Sequence, residues 1–296
     1  MKNYIITGPT SGIGYATALE LAKHGMVILV GRNRDKLNGV QKTIETAGHK
    51  AISVVCDISD IKSVKHAAEE IVRLRLPIAG LLNNAGIMPS KASKNAQGWD
   101  MTFVTNHLGA FALTELLEPH LPDGANVVFI ASAIEDPERK PAKVMGMKGG
   151  RYISAEASAR GEWKEDGSKM AGVDAYATSK QCILASALFF ARENPRLCYN
   201  AVEPGITRGT RLGGINPVVG FLFGNLMAMI PPFSRYSSTP KKSAKVIAKV
   251  LTDTSGKTGI YYDEKGQPMQ GSVLVLDPQF QGQVVTETRA FLSKYV

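Results

Sequence analysis

Short apolar runs alternate with longer amphipathic stretches along most of this chain, and that rhythm limits the fold more than any other feature. YIIT (4–7), MVILV (26–30), AISVVC (51–56), IAGLLNN (78–84), NVVFIAS (126–132) and LCYNAVEP (197–204) read as strands. An amphipathic stretch runs from the first strand to His24, and helical patterns cover roughly 35–47, 60–74, 98–118, 174–192 and 240–251. Strands joined through helices need crossover connections, which cover a parallel sheet on both faces. Crossovers are right-handed, so the expected architecture is α/β with a doubly wound parallel sheet. GIYY (259–262) and SVLVL (272–276) are expected to close the sheet edge, ahead of a terminal helix. With neither repeat nor linker, residues 1–296 are expected to form a single domain. The rhythm breaks at 133–173, which is polar, rich in Lys, Glu and Gly, and carries no expected core element. It breaks again at the Gly/Pro-marked segment 205–240.

Composition removes several classes. Hydrophobic residues make up 44% and charged residues 21%, which argues against disorder. Cys56, Cys182 and Cys198 lie far apart and form no CxxC pair, so reduced thiols in a cytoplasmic protein are expected, without a metal site. The net charge is +9, but the basic residues are scattered and form no stripe for nucleic acid. No targeting peptide is evident, because strand pattern begins almost at once. The uncharged part of Leu212 to Ser234 approaches a membrane span in length. Gly213, Gly214, Asn216, Asn225 and the Pro231–Pro232 pair favour a buried or lid-like segment instead.

TGPTSGIG (7–14) falls between the first strand and the first helix. In open α/β sheets, ligands bind at the carboxyl ends of the strands. Gly8 permits a tight turn, Gly12 lets backbone approach a pyrophosphate, and Gly14 allows close packing of helix on strand. The helix N-terminus then offers free N–H groups to phosphate. At the end of the second strand, VGRNR (30–34) puts Gly31 where an acidic residue would read the ribose of NAD, with Arg32 next and no carboxylate before Asp35. That pattern favours the 2′-phosphate of NADP(H); otherwise Arg32 is ordinary helix-start decoration. YATSK (176–180) sets Tyr176 and Lys180 one helical turn apart. An ammonium beside a phenol favours phenolate, so Tyr176 is expected to be acidified toward neutral pH for proton transfer.

These pieces, with CDIS (56–59), NNAG (83–86), VTNHLGAF (104–111), FIAS (129–132) and VEPG (202–205), stand in an order that resembles the short-chain dehydrogenase/reductase family over nearly the whole chain. The resemblance implies a Rossmann-like fold, an NAD(P) cofactor and oxidoreductase activity. It implies that Asn106, Ser132, Tyr176 and Lys180 form the catalytic tetrad. Tyr176 would be the general acid/base, Ser132 the donor to the substrate oxygen, and Asn106 the holder of a water that links Lys180 to solvent. Cofactor contacts are implied for Gly8, Ser11, Gly12, Ile13 and Gly14, for Arg32 and Asn33, and for Asp57 and Ile58 beside the adenine. They are implied also for Asn84, Ala85 and Gly86 beside the ribose, for Tyr176 and Lys180, and for Pro204, Gly205 and Thr207, with either Thr207 or Thr210 meeting the carboxamide. The fifth position past Pro204, where the family often has threonine, is Gly209, with Thr207 and Thr210 nearby.

The connection from Ser132 to Tyr176 is longer than is usual in the family. With SGKTGIYY (255–262), it resembles the retinol-dehydrogenase-like and protochlorophyllide-reductase-like branches, which act on large apolar molecules. Segment 205–240 falls where the family carries its substrate lid. Its Val218, Val219, Phe221, Leu222, Phe223, Leu226, Met227, Met229 and Ile230 suit an apolar ligand, packing on the core, or peripheral membrane contact aided by Arg211, Arg235, Lys241 and Lys242. The expected function is NADP(H)-dependent hydride transfer to or from a carbonyl or alcohol of a bulky apolar substrate. Reduction of a C=C bond and a non-enzymatic NADP-bound sensor remain open, as does a homodimer through the helices near 98–118 and 174–192.

Overall fold

The computed structural model describes residues 2–89, 91–168, 172–207, 231 and 233–295. Its elements run β1 (Asn3–Thr7), α1 (Gly12–Leu21), β2 (Met26–Gly31), α2 (Arg34–Thr46), β3 (Ala51–Val55), α3 (Ile61–Arg73) and β4 (Ile78–Asn83). Next come α4 (Met101–Phe103), a π-helical turn (Val104–Leu108), α5 (Gly109–Leu117), β5 (Asn126–Ile130), α6 (Lys140–Val144), α7 (Ala155–Arg160) and α8 (Val173–Glu193). The last part holds β6 (Cys198–Val202), β7 (Ile206–Thr207), β8 (Ser237–Ser238), α9 (Pro240–Leu251), β9 (Ile260–Tyr262), β10 (Pro268–Met269), α10 (Val273–Leu276) and α11 (Pro278–Leu292).

One sheet of eight strands carries the order β10-β9-β6-β5-β4-β1-β2-β3. Every pairing from β3 across to β9 is parallel, and only β10 is antiparallel. The strands are buried on both faces, and their side chains alternate between two cores as the period of two demands. Ile5, Ile28, Val127 and Phe129 enter the core under α3, α5, α8 and α11. Tyr4, Ile6, Leu29 and Val128 enter the core under α1, α2 and α9. Each such side chain contributes roughly 1.5–3 kcal/mol by leaving water. Strand order reverses direction between β1 and β4, and this is the switch point at which a doubly wound sheet opens a crevice.

Two expectations fail. SVLVL is not an edge strand: Val273–Leu276 is a short helix, and the edge is the Pro268–Met269 pair. The Ser272 side chain accepts from Val275 N–H to start that helix. The buried Glu135 carboxylate holds Ser272 in turn, accepting from its N–H at 2.8 Å and its hydroxyl at 2.6 Å. Nor does 133–173 lack core elements. Ala155, Ala157 and Ala159 of α7 are buried, and Tyr152 Oη donates to the Glu287 carboxylate at 2.7 Å, docking this part on α11.

Candidate active site

A cavity of about 1350 Å³ opens along the carboxyl ends of the parallel strands. Its first wall is the turn after β1. Gly8 and Gly12 take positive φ (68° and 54°), which a side chain would oppose. A Cβ on Gly14 would stand 2.1 Å from the Gly8 carbonyl oxygen and 2.5 Å from Asn84 Nδ2, so only glycine lets α1 sit this close. Across the switch point, the Thr7 hydroxyl accepts from the backbone N–H groups of Asn84 and Ala85, both at 2.9 Å. Asn84 Nδ2 donates back to the carbonyls of Thr7 (2.8 Å) and Gly8 (3.2 Å). The two loops are thereby one rigid unit, with the N-terminus of α1 facing the cavity. Ser11 begins α1 without a side-chain cap, so its hydroxyl is not spent on the helix.

Arg32 and Asn33 follow β2 on the same wall, with Lys36 one turn into α2. Asn33 accepts from Lys36 N–H at 2.9 Å and so caps that helix. Asp57 and Ile58 line the wall beyond β3; the Asp57 carboxylate is engaged by the N–H and hydroxyl of Ser59. Gly8, Gly12, Ile13, Ala85 and Gly86 complete this half. The cradle fits a dinucleotide: glycine backbone and helix N–H groups at the turn for a pyrophosphate, and two cationic side chains beyond β2 for a further phosphate.

The other half is built from strand ends and α8. Ser132, Tyr176, Lys180, Pro204, Gly205 and Thr207 all line it. Lys180 is buried at 4% exposure and donates to the Ile130 carbonyl at 2.6 Å, with Nζ 5.5 Å from the centre of the Tyr176 ring. Asn106 does not line the cavity. It stands behind the wall in the π-helical turn, where Oδ1 accepts from Ile87 N–H at 2.8 Å and Nδ2 donates to Ile87 O and Ser179 Oγ. Both Asn106 Oδ1 and Lys180 Nζ approach Gly86. The far end is closed by Ile134, Arg139, Pro141, Ala142, Met145 and Met147 from the 133–173 segment, and by Phe233, Tyr236 and Glu264 opposite. Of the lid expected at 205–240, the residues from Val218 to Ile230 lie outside the described residues.

Burial works against the expected acidification of the Tyr176 phenol. Burial pushes its pKa well above the ordinary tyrosine value, and the Glu203 carboxylate adds to that push; the Ser132 hydroxyl beside it works the other way. Burial also pulls Lys180 down to about 8, with Glu203 opposing. Desolvation penalises each charged form more than a neighbour one helical turn away can repair. Thr7, Lys36 and Glu203 escaped the sequence reading. The signal for Glu203 was available: a carboxylate at the end of an otherwise apolar strand.

A doubly wound sheet with a dinucleotide cradle beside a buried tyrosine and lysine defines a nucleotide-binding oxidoreductase architecture. The comparisons agree. The sequence profile of short chain dehydrogenases matches residues 2–142. Human retinol dehydrogenase 13 is 30% identical over 276 residues, covering 88% of this chain and 76% of its own. Protochlorophyllide reductase of Pisum sativum is 27% identical over 286 residues, covering 88% and 69%. Among solved structures, a blue fluorescent protein from a metagenomic library in complex with NADPH has a TM-score of 0.66 at 23% identity, covering 90% of this chain and 97% of that one. A short chain dehydrogenase from Burkholderia cenocepacia in complex with NADP gives a TM-score of 0.66 at 22% identity, covering 90% and 97%. The chain belongs to the short-chain dehydrogenase family of oxidoreductases.

Proposed function

We propose that this chain is an NADP(H)-dependent oxidoreductase acting on a carbonyl or alcohol of a bulky apolar substrate. The observation that carries the reading is that Ser132, Tyr176 and Lys180 converge on the same cavity as the glycine turn, Arg32 and Lys36. When bound, the nicotinamide supplies or accepts the hydride. The chain's own residues do the rest. The N-terminus of α1 and the Gly8–Gly14 turn hold the pyrophosphate. Arg32 and Lys36 pair with the 2′-phosphate, while Asp57, Ile58, Asn84, Ala85 and Gly86 border the adenosine. Tyr176 gives its phenolic proton to the substrate oxygen, and Ser132 donates a hydrogen bond to that oxygen as charge develops. Lys180 balances the phenolate left behind. Met145, Met147, Ile134 and Phe233 give an adaptable apolar wall, which keeps water from the reacting atoms. The names of the relatives, retinol and protochlorophyllide among them, support a large apolar substrate.

The test is turnover of NADPH by the purified chain against a panel of apolar aldehydes and ketones, with product analysis. Alcohol products formed by the parental chain and lost in Tyr176→Phe are expected. No turnover across the panel, undiminished turnover by Tyr176→Phe, or a saturated C–C bond with the carbonyl retained would each overturn it.

A further inference from the structure

One cation at the far end of the cavity has no role in the reading above. Arg139 immediately precedes α6, is half-buried, and lines that end beside Pro141, Met145 and Met147. Its guanidinium lies 5.3 Å from the centre of the Tyr236 ring, and Nη1 is 3.5 Å from Met269 Sδ. An aromatic face steadies a guanidinium, but a thioether is only a weak acceptor. Among the described residues, no oxygen accepts a hydrogen bond from this guanidinium and no carboxylate pairs with it. Arg160 and Arg289, by contrast, each engage two carboxylates.

The carboxylates around Arg139 are engaged elsewhere. Glu203 accepts from the N–H of Ala133 at one oxygen and from the N–H of Gly205 at the other. Glu135 accepts from the N–H and the hydroxyl of Ser272. Glu138 pairs with Lys143 at 2.7 Å, and Asp136 accepts from Glu138 N–H at 2.9 Å. Glu264 lines the same end of the cavity, with its carboxylate 3.9 Å from the Lys265 ammonium and no pair to Arg139. A guanidinium left unmatched by the protein and facing a cavity is free to match what enters. Its planar fork fits a carboxylate through two parallel hydrogen bonds. Met145, Met147 and Phe233 line the same region, and apolar walls strengthen such a pair by thinning the water around it. A phosphate dianion suits the place less well, because Glu203 and Glu264 stand close by and would repel the second charge.

We propose that Arg139 determines specificity by binding a carboxylate on the substrate, at the end remote from the reacting carbonyl. The substrate class is then an apolar aldehyde or ketone, or the matching alcohol, whose far end carries a carboxylate. The inference rests on the carbonyl and alcohol reading above and narrows it. The apolar middle of the molecule lies along Met145, Met147 and Phe233, and the charged end fixes how far it enters. A ligand held at both ends presents its carbonyl to Ser132 and Tyr176 in one register, which is how binding far from the reaction aids the chemical step.

The experiment compares kcat/KM with NADPH for a series of ω-oxo fatty acids of increasing length, their methyl esters, and matching aldehydes that end in a trimethylammonium group. At the best chain length the parental chain is expected to prefer the acid over its ester by about tenfold or more, as for one hydrogen-bonded charge. In Arg139→Gln that ratio is expected to fall to near one, whatever the absolute rates. Arg139→Lys keeps the charge, loses the fork, and is expected to fall between. Equal parental use of acid and ester, or an acid preference that survives in Arg139→Gln, overturns the proposal. So does a parental preference for the trimethylammonium probe, which would assign this end to Glu264. If Arg139→Gln does not fold, an undiminished acid preference in Arg139→Lys overturns it. Should no probe turn over, the functional reading falls, and calorimetry with NADP-saturated protein still decides this one. A long-chain fatty acid is then expected to bind about tenfold tighter than its methyl ester, and equal affinity, or no binding of either, overturns the proposal.

Discussion

At the adenosine end of the cavity the wall is mostly backbone: a glycine turn, a helix N-terminus, and the Thr7–Asn84 lock across the switch point. At the substrate end it is side chains brought from distant parts of the chain: Ser132 from β5, Tyr176 and Lys180 from α8, Glu203 from β6, and Met145 and Met147 from the 133–173 segment. A ligand common to a whole family can be held by local geometry, and local geometry is written in a few adjacent residues. Chemistry needs charges tuned by burial, and burial is set by residues far apart in sequence. The two ends should accordingly fail in different ways. Damage at the substrate end should remove rate and leave cofactor affinity. Damage at the adenosine end should remove affinity and stability and leave the proton chemistry.

The largest separation is expected from Tyr176→Phe. If Tyr176 is the proton donor proposed above, its loss should lower kcat by roughly 10²–10⁴-fold, with NADPH affinity unchanged in a direct binding titration. A matching loss of NADPH affinity would mean that the two ends are not separable. Gly14→Ala tests the opposite end. Its Cβ would meet backbone at 2.1 Å, which side-chain movement cannot relieve. A destabilisation of up to about 3 kcal/mol is expected, at the top of the overpacking range. Thermal denaturation and NADPH binding should both show it, while any residual activity keeps its parental pH profile.

Legibility in the sequence followed the same division. Strands buried on both faces read as unbroken apolar runs, so β1 to β6 and the longer helices between them, though not α6 and α7, were visible from periodicity alone. The glycine turn was visible because a positive φ and a close approach each demand one residue type. SVLVL was misread because a short apolar run has no period of its own; the Ser272 cap and the grip of Glu135, 137 residues away in sequence, made it helical. Val273 is 90% exposed, which an apolar strand would not have suggested. The helix α7 was missed because AEASAR is small and polar, and its burial comes from docking on α11 through Tyr152 and Glu287. The upward pull of burial on Tyr176 was missed for a related reason. The i,i+4 neighbour is local and legible, whereas desolvation and the Glu203 field exist only after folding.

A third expectation concerns stability at the substrate end. Glu135 is fully buried, and burial pushes its carboxyl up to about 7 from an ordinary 4.5, against the hydrogen bonds from Ser272. The folded chain therefore holds this proton more tightly than the unfolded chain, and protonation favours folding. The contribution is complete below about pH 4.5 and is lost as pH rises through 7. Its size is on the order of 2–3 kcal/mol. Glu135→Gln keeps the shape and both polar atoms, so denaturation midpoints measured across that window should lose this downward slope. The same slope in the variant would assign it to another group.

The smallest effect belongs to the exposed rim of the adenosine end. Arg32 and Lys36 reach the cavity from the start of α2, and both are exposed, so solvent weakens whatever they hold. Replacing Arg32 by alanine should reduce preference for NADPH over NADH by about tenfold, or ~1.4 kcal/mol. Lys36 remains as a point charge, so the preference should fall without inverting. NADH affinity should hardly move, because the turn and the helix N-terminus that bind the shared pyrophosphate are untouched. Raising the salt concentration should shrink the difference between parental chain and variant, since an exposed cation–phosphate pair is screened within about 10 Å. An equal fall in both cofactors' affinities would place Arg32 in the support of α2 and not in contact with the 2′-phosphate. The adenosine end would then owe its selectivity to Lys36 or to the missing carboxylate at Gly31.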